Sequence, residues 1–221
     1  MPNLCGSRDS GGVLLDRADR QPARWRACSR RGRAMPQPGA AGAEPGSQLL
    51  SGEFVLRDGT PAMIWPLLPT DGEMLRNGFR HLSEASRQRR FLTVLGELDD
   101  SMIRHLVGSV DGRQHIALLL IVLPPGEEEG PAGVAHLLLY PDDPATADIA
   151  ITVADDWQGR GVGAALASAL LQRRPPSVTR VHTVVDAGNS ASLALLARAG
   201  RVSAHPDAPG ILDVTVELGA L

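Results

Sequence analysis

The chain has 221 residues, 43% hydrophobic and 21% charged, so composition allows one domain with an ordinary buried core. Aromatic residues make up only 3%, and that core has to be built mainly from Leu, Val, Ile and Ala. A net charge of −3 gives no reason to expect nucleic acid or a membrane surface as partner.

All 22 basic residues are arginine, which leaves no lysine side chain for self-modification. Cys5 and Cys28 form no CxxC pair and have no neighbouring histidine, so no zinc site or disulfide framework is expected. Gly12-Val13-Leu14-Leu15 is too short for the apolar core of a signal peptide. The longest apolar run, residues 116–123, falls far below the roughly 20 residues of a membrane span. A cytoplasmic protein is the expectation.

Residues 1–50 carry eight arginines against four acids and are rich in Gly, Pro, Ala and Ser. They show no helical or alternating period and read as a disordered tail, in which Met35 offers a second possible start. The remaining domain, residues 51–221, begins with a strand at 53–57, a turn at Asp58-Gly59 and a return strand at 62–67. Asp71 caps a helix bearing Met74, Leu75, Phe79 and Leu82, and Ser83-Glu84 opens a short helix toward Phe91. Asp99 and Asp100 precede a third, with Met102, Ile103, Leu106 and Val107 on one face. Apolar strands follow at 115–123 and 133–140, separated by a Gly/Pro/Glu loop. The spacing then predicts a strand at 148–153, a long helix at 157–173 and a strand at 178–185. A helix at 190–199 and a strand at 211–217 complete a mixed α/β or α+β class.

The chemistry lies in Val153-Ala154-Asp155-Asp156-Trp157-Gln158-Gly159-Arg160-Gly161-Val162-Gly163-Ala164. Glycines at alternate positions let backbone amides converge on an anion, and the following helix adds its positive dipole end. A pyrophosphate is the physical expectation. Gly159-x-Gly161-x-x-Ala164 also fits a loose dinucleotide fingerprint, with Asp186 as the ribose acid. Against it, five residues separate the strand from Gly159, and Asp186 lies 27 residues beyond that glycine. Only 35 residues follow Asp186, too few for the second half of such a sheet.

Gln158-Gly159-Arg160-Gly161-Val162-Gly163 resembles the Q/R-x-x-G-x-G/A signature of GNAT acetyltransferases. The resemblance implies a mostly antiparallel central sheet with one splayed strand pair and helices on both faces. It implies acetyl-CoA as co-substrate, its pyrophosphate on the amides of residues 158–164 and its arm along Ile151 and Val153. Asn189-x-x-Ser192-Leu193-x-Leu195-Leu196-x-x-x-Gly200 is similar to a later helix of the family, where Asn189 would face the arm or act as a plain N-cap. Arg201 stands where the family usually has Phe. Leu196 stands where many members carry the Tyr that protonates the departing thiolate. Leu56-Arg57-Asp58-Gly59-Thr60, Pro66 and Leu82-Ser83-x-x-Ser86-Arg87-x-x-Arg90-Phe91 resemble bacterial protein-lysine acetyltransferases of the Pat type.

In that group a glutamate ten residues before the motif Gln is the base, and here the position is Asp148. Aspartate is a methylene shorter, which favours a water relay over direct contact. An amide near Val153 would polarise the thioester. His136 lies on the preceding strand within reach of the site, with a core position as its plainer reading, and His182 reads as structural. The leading reading is acetyl transfer from acetyl-CoA to a primary amine, with protein lysine among the acceptors. A weakly catalytic acyl-CoA sensor and a small-amine acetyltransferase are the alternatives.

Overall fold

The computed structural model describes residues 53–219 apart from 93, 125, 127 and 128. The tail expected over 1–50, with Cys5, Cys28 and Met35, lies outside the described residues. Eight strands among the described residues form one sheet: β1 (Glu53–Val55), β2 (Pro61–Pro66), β3 (His115–Val122), β4 (Gly130–Tyr140), β5 (Asp143–Val153), β6 (Arg180–Asp186), β7 (Gly200–Ala208) and β8 (Ile211–Leu218). Their spatial order is β1-β2-β3-β4-β5-β6-β8-β7, and β5–β6 is the one parallel neighbour pair among them. The helices are α1 (Gly72–Arg80), α2 (Glu84–Phe91), α3 (Asp100–Gly108), α4 (Val162–Gln172) and α5 (Ser190–Ala199).

The near-continuous apolar run of β3 is dictated by burial on both faces. Ile116, Leu118 and Leu120 join Ala135, Leu137 and the Val162, Leu166 and Leu170 stripe of α4. Ala117 and Leu119 turn the other way, onto Leu75, Phe79, Ile103 and Leu106 of α1 and α3. Burying one leucine contributes about 2 kcal/mol, so a one-residue slip of β3 would lose several such contributions at once. A third cluster sets Leu196 of α5 against Val181, Val185, Val214 and Val216.

Local chemistry starts and stops the helices. Ser83 Oγ accepts from the Ser86 amide at 3.2 Å at the start of α2, and Leu92 in a left-handed conformation ends it. Asp99 Oδ1 accepts from the Met102 amide at 2.8 Å and caps α3.

Three expectations need correction. The helix expected over 157–173 begins only at Val162, because Gly159 (φ 75°) and Gly161 (φ 99°) hold left-handed backbone that no α-helix contains. Strand β5 begins at Asp143 rather than 148, since pairing with β4 continues through residues that lack apolar alternation. Strand β7 has no counterpart among the expected elements: its largely exposed sequence, with Pro206, pairs with β8 alone and packs Val202 against the third cluster.

Candidate functional site

From Val153 the chain leaves the sheet through a short turn at Asp155–Trp157 and reaches Gly159 and Gly161 before α4 begins. Both glycines need their positive φ, and a Cβ on Gly161 would also lie 3.4 Å from Cγ of Arg57. The first intrahelical bond runs from the Ala165 amide to the Gly161 carbonyl at 3.0 Å. The amides of Val162, Gly163 and Ala164 therefore belong to the turn that has no intrahelical acceptor. Together with the helix dipole they are placed to hold an anion.

Strands β5 and β6 pair only at Thr146↔Arg180 and Ala147↔Val181, although β5 runs on to Val153 and β6 to Asp186. Beyond Ala147 the two diverge. The Ala154 amide bonds the Ala132 carbonyl of β4 at 2.9 Å, which assigns even-numbered residues of this stretch to β4. Thr183 Oγ1 donates to the Ile149 carbonyl at 3.1 Å, which assigns odd-numbered ones to the β6 side. Backbone groups alternate along a strand, so those of Ile151 and Val153 face the opening. The opening widens into a cleft of about 430 Å³ that reaches the glycine loop and α5.

Asp155 ties the loop to α2. Its carboxylate accepts from the Ser83 amide (2.9 Å), Ser83 Oγ (2.9 Å) and Ser86 Oγ (2.6 Å). Gln158 Nε2 adds bonds to Ser86 Oγ at 3.2 Å, to the Val153 carbonyl at 3.3 Å and to Asp155 Oδ1 at 3.3 Å. Thus α2 is anchored where it brings Arg89 and Arg90 to the cleft wall, and Arg90 Nε donates to Thr152 Oγ1 at 3.2 Å.

Asp148 is the first residue of β5 beyond its last pair with β6. It lines the cleft and also a separate cavity of about 30 Å³ on the α2–α3 side, shared with Arg90, His105, His115 and His136. His115 Nε2 and His136 Nδ1 are 3.0 Å apart, and His115 Nδ1 lies 2.8 Å from Ser109 Oγ. Burial pushes His115 down to about 4, with His105 adding to the shift and Asp111 opposing it. Burial likewise holds His136 well below the usual imidazole range, helped by the nearby His115, Arg90 and His105.

Of the expected site residues, Ile151, Val153, Gln158 and Gly159 line the cleft, as do Gly161, Gly163, Ala164 and Asn189. Asn189 does so while its Oδ1 caps α5 through the Ser192 amide at 3.1 Å. Two side chains are elsewhere. Val162 is buried in the core under α4. Arg160 stacks on Trp157 at 4.6 Å and bonds Asp58 Oδ2 at 3.1 Å, an exposed pair of little energetic worth. Sequence reasoning missed Arg57, Ser86, Arg89 and Arg198 as cleft residues, and the link from Asp155 to Ser83. The signal that could have found it is the three- and four-residue spacing of Ser83, Ser86 and Arg90, which sets them along one helical face. His182 lies between Tyr140 (3.2 Å to its hydroxyl) and Asp213 (2.9 Å), away from the cleft. Among the described residues no helix is long and apolar enough to cross a membrane.

Residues 68–202 match the family model described as acetyltransferase (GNAT) domain. Acetyltransferase PA5475 of Pseudomonas aeruginosa is 30% identical over 137 residues, covering 62% of this chain and 72% of that protein. The GNAT domain of S. lividans PAT superposes with a TM-score of 0.58 at 23% identity, over 76% of this chain and 96% of that one. A cAMP-binding acyltransferase from Mycobacterium smegmatis gives a TM-score of 0.51 at 22% identity, over 76% of this chain and 46% of its own. At these identities the solved structures speak to the fold: a mostly antiparallel sheet with one splayed pair and helices on both faces.

Proposed function

We propose that this chain, which belongs to the acetyltransferase (GNAT) family, transfers an acetyl group directly from acetyl-CoA to a primary amine. The observation that carries the reading is the divergence of β5 from β6 after Ala147, which opens a cleft ending on Gly159, Gly161 and the start of α4. The chain's groups fit a CoA thioester. Amides of the loop and of the first turn of α4 suit its pyrophosphate, with Arg57 beside Gly161 adding positive charge. Backbone groups of Ile151 and Val153 suit the amides of its arm, and Asn189 closes the opposite side. When bound, acetyl-CoA supplies an acyl group already activated as a thioester.

The protein's part is positioning and proton handling. An ammonium is no nucleophile, so the acceptor must lose a proton before it attacks. Asp148 stands at the point of divergence and takes that proton, through a water where the shorter side chain leaves a gap. The Val153 amide, facing the opening, donates to the developing oxyanion. Protein lysine and small amines are both acceptors that this chemistry serves.

Calorimetric titration with acetyl-CoA, with NADH as control, tests the cofactor. Mass-spectrometric assay of a lysine peptide, a polyamine and an aminoglycoside then tests the transfer. Micromolar binding of acetyl-CoA alone, with acetylation of one amine, is expected. A folded sample that binds acetyl-CoA tightly and acetylates none of them would instead support the sensor reading, which the buried Leu196 at the Tyr position favours.

A further inference from the structure

His115, His136 and Asp148 come from three adjacent strands and share the sheet face under α2 and α3. In register, Leu138 pairs with both His115 and Asp148, while His136 pairs with Ala150. His136 is therefore diagonal to His115 on one side and to Asp148 on the other. Such diagonal pairs lie roughly 7–8 Å apart, within reach of long side chains or one bridging water. The His115–His136 diagonal is closed directly at 3.0 Å. The His136–Asp148 diagonal borders the cavity of about 30 Å³, room for a water with polar partners on its walls.

The hydrogen bonds of this chain have one consistent polarity. Ser109 has a single hydroxyl proton, which it gives to the His105 carbonyl at 2.6 Å. Its oxygen must then accept from His115 Nδ1–H at 2.8 Å. A neutral His115 consequently has a bare Nε2, which accepts from His136 Nδ1–H at 3.0 Å. That leaves His136 Nε2 with a free lone pair beside the cavity it shares with Asp148. Ser109 is exposed, so the chain runs from a half-buried acid to solvent. The charged and titratable neighbours are Arg90 of α2, His105 of α3, Asp111 ahead of β3, and Asp148 of β5. Burial keeps both rings neutral at physiological pH, as a chain of this polarity requires.

We propose that His136, His115 and Ser109 form a proton channel between Asp148 and solvent, serving the acetyl-transfer reaction proposed above and resting on that reading. Outward, the proton taken from the amine passes from Asp148 through the cavity water to His136 Nε2. His136 Nδ1–H passes to His115 Nε2, His115 Nδ1–H passes to Ser109 Oγ, and the original Ser109 hydroxyl proton leaves the His105 carbonyl for solvent water. Each hop forms one N–H or O–H bond and breaks the next, and no charge stays buried. Starting from an ammonium, the reaction loses two amine N–H bonds, gains one thiol S–H bond and leaves one proton for solvent. The first amine proton leaves by these hops. The second, lost as the attacking nitrogen becomes an amide, passes by way of Asp148 to the thiol leaving group, which is the proton that a Tyr at the Leu196 position would otherwise provide. One outward passage leaves both rings protonated on Nε2, so each ring turns to restore its starting tautomer before the next cycle.

Two measurements on the full chain test this. Long-range ¹⁵N–¹H spectra of histidine-labelled protein at neutral pH are expected to show both His115 and His136 protonated on Nδ1 and bare on Nε2. A proton on Nε2 of either ring would break the polarity and overturn the channel. Steady-state kinetics with acetyl-CoA and whichever of the lysine peptide, polyamine or aminoglycoside is acetylated form the second arm. His136→Asn is expected to lower kcat on the order of 10-fold with KM for acetyl-CoA unchanged, because water still offers a slower route. Ser109→Ala, at an exposed position and so a smaller disturbance to the core than His136→Asn, is expected to raise the solvent deuterium isotope effect on kcat. An active protein in which both variants match wild type in kcat and isotope effect would remove the channel and leave the transferase reading standing. A wild-type protein that acetylates none of the amines removes both, since no proton then needs carrying.

Discussion

The carboxylate of Asp155 holds Ser83 by both its backbone amide and its hydroxyl, each at 2.9 Å, across 72 residues of sequence. Asp155 begins the turn into the glycine loop and Ser83 is the cap of α2, so one side chain sets the spacing between the loop and the helix that carries Arg90. Displacing the loop would therefore strain three hydrogen bonds to α2.

Removing that link has a defined consequence. Asp155→Ala deprives the α2 cap and Ser86 of their common acceptor, with an expected loss of about 1–2 kcal/mol in stability. Acetyl-CoA affinity should fall as well, because Gln158 loses one of its three anchors. Thermal scanning and calorimetric titration of the same variant check the two halves, and an unchanged affinity would uncouple α2 from the loop.

At Gly161 the backbone (φ 99°) resists a side chain, while a Cβ would meet Arg57 only in ordinary contact at 3.4 Å. Gly161→Ala should therefore destabilise by about 1–2 kcal/mol from backbone strain alone. Gly161→Glu adds a negative charge where a pyrophosphate would sit and should abolish acetyl-CoA binding in a protein that still folds. Retained micromolar binding by Gly161→Glu would place the anion elsewhere.

Asp148→Asn keeps the shape of the side chain and removes its basicity. The expected result is a fall in kcat of about 10²-fold at neutral pH with acetyl-CoA affinity retained. The loss should shrink as pH rises and more of the amine is already neutral. A pH–rate profile that keeps its wild-type shape and height would remove Asp148 as the base.

Much of this site is legible in the sequence, and the reason is local. Gly159 and Gly161 state a backbone requirement that needs no tertiary context, and Asn189 states a helix start. What escapes the sequence depends on register. His115, His136 and Asp148 are scattered along 34 residues of chain and meet only because Leu138 pairs with the first and the last. The premature helix start at Trp157 has the same lesson in reverse, since apolar spacing alone ignores the positive φ of two glycines. Strand β7 escapes because its order comes from β8 and not from its own polar, proline-containing sequence.

The buried histidines also give stability a pH dependence of known sign. Both take up protons near pH 6.5 when unfolded, whereas in the folded chain His115 does so only near 4 and burial holds His136 well below its usual range. Between those limits the unfolded state binds more protons, so stability rises with pH. The contribution is complete above about 6.5 and is lost as pH falls toward 4, amounting to about 3 kcal/mol for His115. Thermal unfolding at stepped pH should show this slope, and His115→Gln should flatten it. A slope identical in the variant would assign the acid sensitivity to carboxylates.

Gly133 shows how the core positions the loop. It lies in β4 directly beneath the first turns of α4, where a Cβ would come within 2.8 Å of the Thr152 carbonyl and 3.0 Å of both Val162 and Leu166. The carbonyl belongs to the paired strand and yields only at a cost to the β4–β5 pairing, and the Val162 and Leu166 side chains of the helix must give as well. Gly133→Ala should lift the start of α4 off the sheet, destabilising the fold by about 1–3 kcal/mol. Because Val162, Gly163 and Ala164 carry the amides that face the proposed pyrophosphate, acetyl-CoA binding should weaken in step although Gly133 itself touches no part of the cleft. Titration of this variant at a temperature where it remains folded separates the two effects. Wild-type affinity there would mean that the loop glycines alone, without the seating of α4, determine how the anion is held.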